Sequence, residues 1–199
     1  HIPFLPIEFF KSHQLISGSG TVEEIFTSSG TSGMVQSKHY VTDVKLYEKS
    51  YRKAFELFYG NISDYCILAL LPSYLERDGS SLIYMADDLI KQSMHPDSGF
   101  YLNNYEELLV KLEQLEQKKQ KTILLGVTYS LMDMAELYSA RKNKKPLQHT
   151  IIMETGGMKG KRKEMIREEL HQVLCSSFGV PAIHSEYGMT ELLSQAYSK

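Results

Sequence analysis

Short continuous apolar runs alternate with stretches whose apolar residues recur every three or four positions. The run CILALL at 66–71 has no polar position and ends at a proline, as expected of a strand covered on both faces. TILLGV at 122–127, TIIM at 150–153 and VPAIH at 180–184 read the same way, and 22–26 adds a shorter hydrophobic strand pattern. Between them, Val44, Tyr47, Tyr51, Ala54, Phe55 and Phe58 fall on one helical stripe, with Thr42 or Asp43 as its cap. Ser80 or Ser81 caps a second helix running to about Gln92. Leu108, Leu112 and Leu115 mark the buried face of a third, with Glu107 and Lys111 paired outside it. Segments 132–140 and 165–174 are two more helices, and 114–121 (QLEQKKQK) reads as a solvated helix end and turn. The first 20 residues, with two prolines and a GSG, look irregular. Strand followed by helix, repeated, predicts an α/β fold: a mainly parallel sheet flanked by helices on both faces.

Composition narrows the class without naming a function. A chain of 199 residues, 42% hydrophobic and 23% charged, has room for one domain with a real core. A net charge of −2 gives no reason to expect nucleic acid as a partner. No apolar run approaches the roughly 20 residues of a membrane span, and no signal peptide is visible. The two cysteines, Cys66 and Cys175, lie far apart in or beside apolar patterns. That suits reduced core thiols in a cytoplasmic, reducing compartment better than a disulfide or zinc site. His39, His171 and His184 lack metal-ligand spacing. The chain starts without methionine and stops just past a motif, which leads us to expect a fragment of something longer.

The unusual polar clusters each follow a strand pattern. TSSGTSG (27–33) follows the first, PSYLERDGSS (72–81) the second, Thr128 and Tyr129 the third, ETGGMK (154–159) the fourth and SEYGMTE (185–191) the last. In a parallel sheet the carboxyl ends of the strands lie along one edge, where ligands bind. Five clusters are therefore expected to converge on one crevice. Glycines let successive N–H groups face one anion, and Ser and Thr hydroxyls add donors. The later cluster supplies an aromatic ring, a hydroxyl and a carboxylate suited to a hard cation. Together these are the parts needed to hold Mg-ATP. A Walker loop is excluded because Met34 follows Gly33, and neither a dinucleotide fingerprint nor a kinase signature set is present.

The pair TSSGTSG and YGMTE resembles the adenylate-forming ligase superfamily. PSYLERDGSSLIYM, TGGMKGKRKEM and SEYGMTELLSQAY look like its acyl-protein synthetase branch, the fatty-acid-activating component of bacterial bioluminescence, with phenylacetate-CoA ligase a close cousin. The resemblance implies that Thr27, Ser28, Ser29, Gly30, Thr31, Ser32 and Gly33 hold the β- and γ-phosphates of ATP. It implies that Gly156 and Gly157 lie against the adenosine. Tyr187, Gly188 and Met189 would serve the nucleotide, with Tyr187 stacking on adenine. Thr190 would bind the α-phosphate and Glu191 would ligate Mg²⁺, the two being the catalytic pair. Tyr74, Thr128 and Tyr129 would shape the acyl pocket. The loop departs from the commoner pattern, since no Pro-Lys pair follows its last glycine and Lys38 is displaced.

By that resemblance the whole chain, 1–199, is part of a large N-terminal ATP- and acyl-binding domain, and a small C-terminal domain is absent from it. The implied reaction is attack of a carboxylate, fatty acyl in this branch, on the α-phosphorus of ATP. The acyl group of the resulting acyl-adenylate then passes to a thiol, either a protein cysteine or CoA, and an acyl-CoA reductase is an admissible partner. Without a downstream ribose-binding Asp and late Lys, the chain alone is expected not to complete adenylation efficiently. An aryl-CoA ligase and a non-catalytic nucleotide- or acyl-binding scaffold remain as alternatives. The basic cluster Lys159, Lys161, Arg162 and Lys163 reads as a solvated face offset by Glu164, Glu168 and Glu169.

Overall fold

The computed structural model describes residues 4–28, 35–71, 79–158 and 160–199. A single helical turn, α1 (Phe9–Ser12), precedes a hairpin of β1 (Glu24–Thr27) and β2 (Lys38–Val41). Then come α2 (Val44–Tyr59), a 3-10 turn (Ile62–Asp64), β3 (Cys66–Leu70), α3 (Ser81–Ser93) and β4 (Gly99–Tyr101). The chain continues through α4 (Tyr105–Gln117), β5 (Thr122–Val127), α5 (Thr128–Ser139) and β6 (Thr150–Thr155). It closes with α6 (Arg167–Phe178), β7 (Ile183–Gly188) and β8 (Gln195–Ser198).

Six strands form one mixed sheet in the order β4-β3-β5-β6-β7-β8, parallel except for β8, which runs antiparallel to β7. Strands β3 and β5 are buried at every position, the property that made them legible as uninterrupted apolar runs. The chain enters at β3, steps outward to β4, then returns to lay down β5, β6 and β7. Right-handed crossovers therefore put α3 on one face and α4, α5 and α6 on the other. Helix α2 joins α3, clamped by Arg52, whose Nε and Nη2 donate to the Asp88 carboxylate at 2.8 and 2.6 Å. On the opposite face α5 and α6 meet through stacked Tyr138 and Phe178 rings, 5.8 Å between centroids. The direction of winding reverses between β3 and β5, and it is at the carboxyl ends of strands at such a reversal that doubly wound sheets take ligands.

Several expectations are corrected. The strand before the Ser/Thr loop does not join the parallel sheet: β1 pairs only with β2, in a separate two-stranded antiparallel sheet. Its one-sided pattern, with Phe26 buried and Ile25 exposed, explains why. The last parallel strand is 183–188 rather than 180–184, so Ser185, Glu186, Tyr187 and Gly188 lie on β7 and not beyond it. Helix α5 starts four residues earlier than expected, at Thr128, which puts Thr128 and Tyr129 in a helical first turn. Lys111 pairs with Asp97 at 2.5 Å and not with Glu107, which instead accepts from Asn104. Arg162 is offset by Asp133 and Glu136 of α5 rather than by Glu164, Glu168 or Glu169. The 4-residue helix α1 lies within the segment expected to be irregular.

Candidate functional site

The hairpin reaches the sheet edge because its base is fixed from two sides. The Thr27 N–H donates to the Gly79 carbonyl at 2.7 Å, which brings the start of α3 against β1. His39 Nδ1 donates to the Thr190 carbonyl at 2.8 Å, bringing the turn after β7 against β2. Phe26 anchors the same hairpin edge-on to Tyr47 and Tyr84, at 5.4 and 5.5 Å between ring centroids. Just past β1, Ser28 N–H donates to Ser37 O at 3.0 Å and Ser37 N–H to Ser28 Oγ at 2.9 Å. Thr27 and Ser28 thus sit where three chain segments meet. Ser29, Gly30, Thr31, Ser32 and Gly33 lie outside the described residues, as do Tyr74 and Lys159.

At the carboxyl ends of β5, β6 and β7 the remaining predicted residues gather. Thr155 pairs with Glu186, so Gly156, just past the end of β6, and Tyr187 on β7 each follow that pair directly. Thr128 Oγ1 donates to the Gly156 carbonyl at 2.7 Å, fixing the turn at a glycine whose φ of 66° is left-handed. Gly157 has open space where a Cβ would stand, and Tyr187 of β7 keeps 60% of its surface exposed. An exposed aromatic ring and an unobstructed glycine backbone are each surfaces on which a planar group can lie. The next segment turns back through a hydrogen bond from Leu192 N–H to Met189 O at 3.0 Å, carrying Thr190 and Glu191 at its crest. Glu191 is partly exposed and enters no ion pair among the described residues, which leaves its carboxylate available to a cation. Among the described residues no cluster of three or more His, Cys, Asp or Glu could hold a metal by itself. A cation there would need oxygens from its ligand as well, as magnesium bound through phosphates does.

Thr128 and Tyr129 are buried, and the Thr128 hydroxyl is spent on Gly156; its described role is to support the glycine turn. Burial pushes the Cys66 thiol up to about 11 and raises Cys175 too, so both are protonated at neutral pH and serve as packing. His184 is held below its ordinary value by burial and by Lys199, and its Nδ1 is hydrogen-bonded to Tyr59 at 3.1 Å.

Sequence reasoning missed one group of residues altogether. Glu186 is 5% exposed and accepts from Thr155 Oγ1 at 2.5 Å. Burial, aided by Glu154, pushes its carboxyl up to about 7 against the lowering effect of Thr155. The Gln195 carboxamide lies beside it, against the Tyr47 hydroxyl at 2.8 Å, and Tyr47 in turn donates to the Ser81 carbonyl at 3.1 Å. Read from sequence, Glu186 belongs to the polar cluster after a strand at 180–184, and only its position three residues after Ile183 hints at a place within the strand. The contacts close a circuit around the site, from Thr190 through His39, the hairpin, Gly79, Ser81, Tyr47 and Gln195 back to β7.

No protein-family model matches the sequence, and neither does any curated protein. Among solved structures the chain is similar to coronafacic acid ligase from Pectobacterium brasiliense, at 20% identity and a TM-score of 0.42, over 68% of this chain and 24% of that one. A single-substitution mutant form of the same ligase matches with the same values. The chain thus matches about a quarter of that ligase's length. Among the described residues no helix is long and apolar enough to cross a membrane.

Proposed function

We propose that this chain forms the nucleotide-holding part of an adenylate-forming, acid-thiol ligase, which activates a carboxylic acid as its acyl-adenylate and passes the acyl group to a thiol. The reading rests above all on one observation: residues about 150 positions apart meet, with His39 of β2, the strand paired with β1, bonded to the Thr190 carbonyl. Thr27, Ser28 and the loop they open would supply donors to the phosphates. Tyr187 and the face of Gly156 and Gly157 would take the adenine, with Gly188 and Met189 at its margin. Thr190 would contact the α-phosphate, and Glu191 would hold Mg²⁺. The ion would neutralise charge on the phosphates.

Catalysis in this scheme is positioning and charge neutralisation, since the attacking carboxylate is already ionised and needs no base. Within the superfamily, the motif resemblance favours a fatty acid and an acyl-protein synthetase, with a protein cysteine or CoA as acceptor. Carboxylate-dependent exchange of pyrophosphate into ATP, run over fatty and aryl acids with the full gene product, tests the scheme. Fatty-acid-dependent exchange that Glu191→Gln abolishes supports it. Exchange with aryl acids alone would move it to the aryl-CoA ligases, and Mg-ATP binding without exchange would leave a non-catalytic scaffold.

A further inference from the structure

The amino ends of the sheet carry charges that the site at its carboxyl ends does not use. Strands β5 and β6 are parallel neighbours, with Thr122 opposite Thr150, so the connections that enter them lie side by side. The Thr122 N–H donates to the His149 carbonyl at 2.9 Å and ties the two together. Each connection holds a basic run without an acid. Residues 118–121 read KKQK and residues 141–145 read RKNKK, so seven of the 22 lysines and arginines fall in two short runs. On a chain whose net charge is −2, that excess is local. Every lysine of the two runs is exposed.

A cavity of about 620 Å³ joins them, lined by Lys119 from the first run and by Arg141 and Lys145 from the second. That volume suits a small molecule. The acids on its wall are already bonded. Glu116 accepts from the Gln148 and His149 N–H groups at 2.5 and 2.8 Å, from His149 Nδ1 at 2.9 Å and from Thr150 Oγ1 at 3.0 Å. Glu113 pairs with Arg141 at 2.7 Å, and the other terminal nitrogen of Arg141 reaches Glu106 at 2.7 Å. Lys119 and Lys145 enter no ion pair or side-chain hydrogen bond among the described residues. Cations just past a helix end complement its dipole, which accounts for Lys118, Lys119 and Arg141. Lys142, Lys144 and Lys145 stand beyond the last turn of α5, where that effect has faded. Like charges crowded there repel one another until an anion offsets them.

We propose that this cavity is a second ligand site, for a small polyanion carrying two or more phosphate or carboxylate groups. Lys119 and Lys145 clamp the anionic groups through charge-assisted hydrogen bonds, and the flanking lysines raise the local potential. The length of β5 and β6, about 20 Å, separates it from the site at the carboxyl ends, so it depends on nothing proposed for the nucleotide. Inorganic tripolyphosphate and citrate are the probes, followed by calorimetry and amide NMR shifts. Both should bind and shift amides within 113–121 and 138–149, with affinity falling as salt rises. Lys119→Gln with Lys145→Gln should weaken binding at least tenfold. Lys45→Gln with Lys49→Gln removes the same charge from exposed positions on α2 and should change it less than twofold. All four side chains are exposed, so both double variants should melt as the parent does. Equal losses in the two pairs would reduce the patch to diffuse charge and overturn the site. Shifts confined to 27–28 and 187–191 would overturn it too. So would failure of both probes to bind, whether or not phosphatidylserine vesicles do.

Discussion

Glu186 costs the fold stability whenever it is charged, and the sign follows from its direction of shift. Its folded value of about 7 lies above the ordinary 4.5, so the folded state holds the proton more tightly than the unfolded chain does. Its contribution is complete below pH 4.5 and is lost as pH rises through 7. The shift corresponds to roughly 3 kcal/mol between those limits. Glu186→Gln should therefore match the wild type near pH 4.5 and exceed it by about that amount at pH 8. Urea midpoints at the two values test this, and a gap independent of pH would reject it. Gly79 makes the opposite kind of demand. At its φ of 77° an added Cβ would lie 2.8 Å from the Ile25 carbonyl, a backbone atom that cannot turn aside. Gly79→Ala should cost roughly 1–3 kcal/mol and loosen β1 from α3, visible as a lower melting temperature.

The hairpin of β1 and β2 is the element on which the site depends, and its attachment is polar on one side and aromatic on the other. His39 is the polar bond to the turn at 189–192. Replacing it with phenylalanine keeps the ring that packs edge-on against Phe10 at 5.2 Å but removes the donor to Thr190. One lost neutral hydrogen bond is worth about 1 kcal/mol, so amide exchange through residues 189–192 should quicken about fivefold while β3 and β5 stay protected. The hairpin is also where sequence reading met its limit. The elements read well were those whose signal is local: α2 with its buried Tyr47, Tyr51 and Phe55, α3 with Ser80 at its cap, and the wholly apolar β3 and β5. Strands β2, β4 and β8 are three or four residues long and carry little apolar pattern. Strand β7 reads as polar after Ile183 because its side chains are satisfied from other elements: His184 by Tyr59, Ser185 by Arg167 and Glu186 by Thr155. Such partners are invisible until the chain has folded.

At the scale of the whole molecule, the sheet decides what the motifs can do together. Thr128, just past the end of β5, bonds the Gly156 carbonyl, and the adjoining ends of β6 and β7 bring Gly156 and Tyr187 into line. The hairpin reaches this edge from outside the sheet. Convergence therefore depends on its docking, and the expectation that five strand ends alone would create the site was too simple. In the proposed scheme a nucleotide would approach the backbone at Gly157, and this separates binding from folding. An alanine at that position meets nothing within 4 Å. Gly157→Ala should leave stability within about 0.5 kcal/mol, as for a neutral surface substitution. Yet the new methyl would stand where the proposed scheme lays the adenine. Mg-ATP affinity measured by calorimetry should fall at least tenfold, and Tyr187→Ala should weaken it similarly by removing the stacking surface on the other strand, a loss of roughly 1–3 kcal/mol. If both variants bind Mg-ATP as tightly as the parent, the base does not lie between β6 and β7, and the adenylate-forming reading loses its geometry.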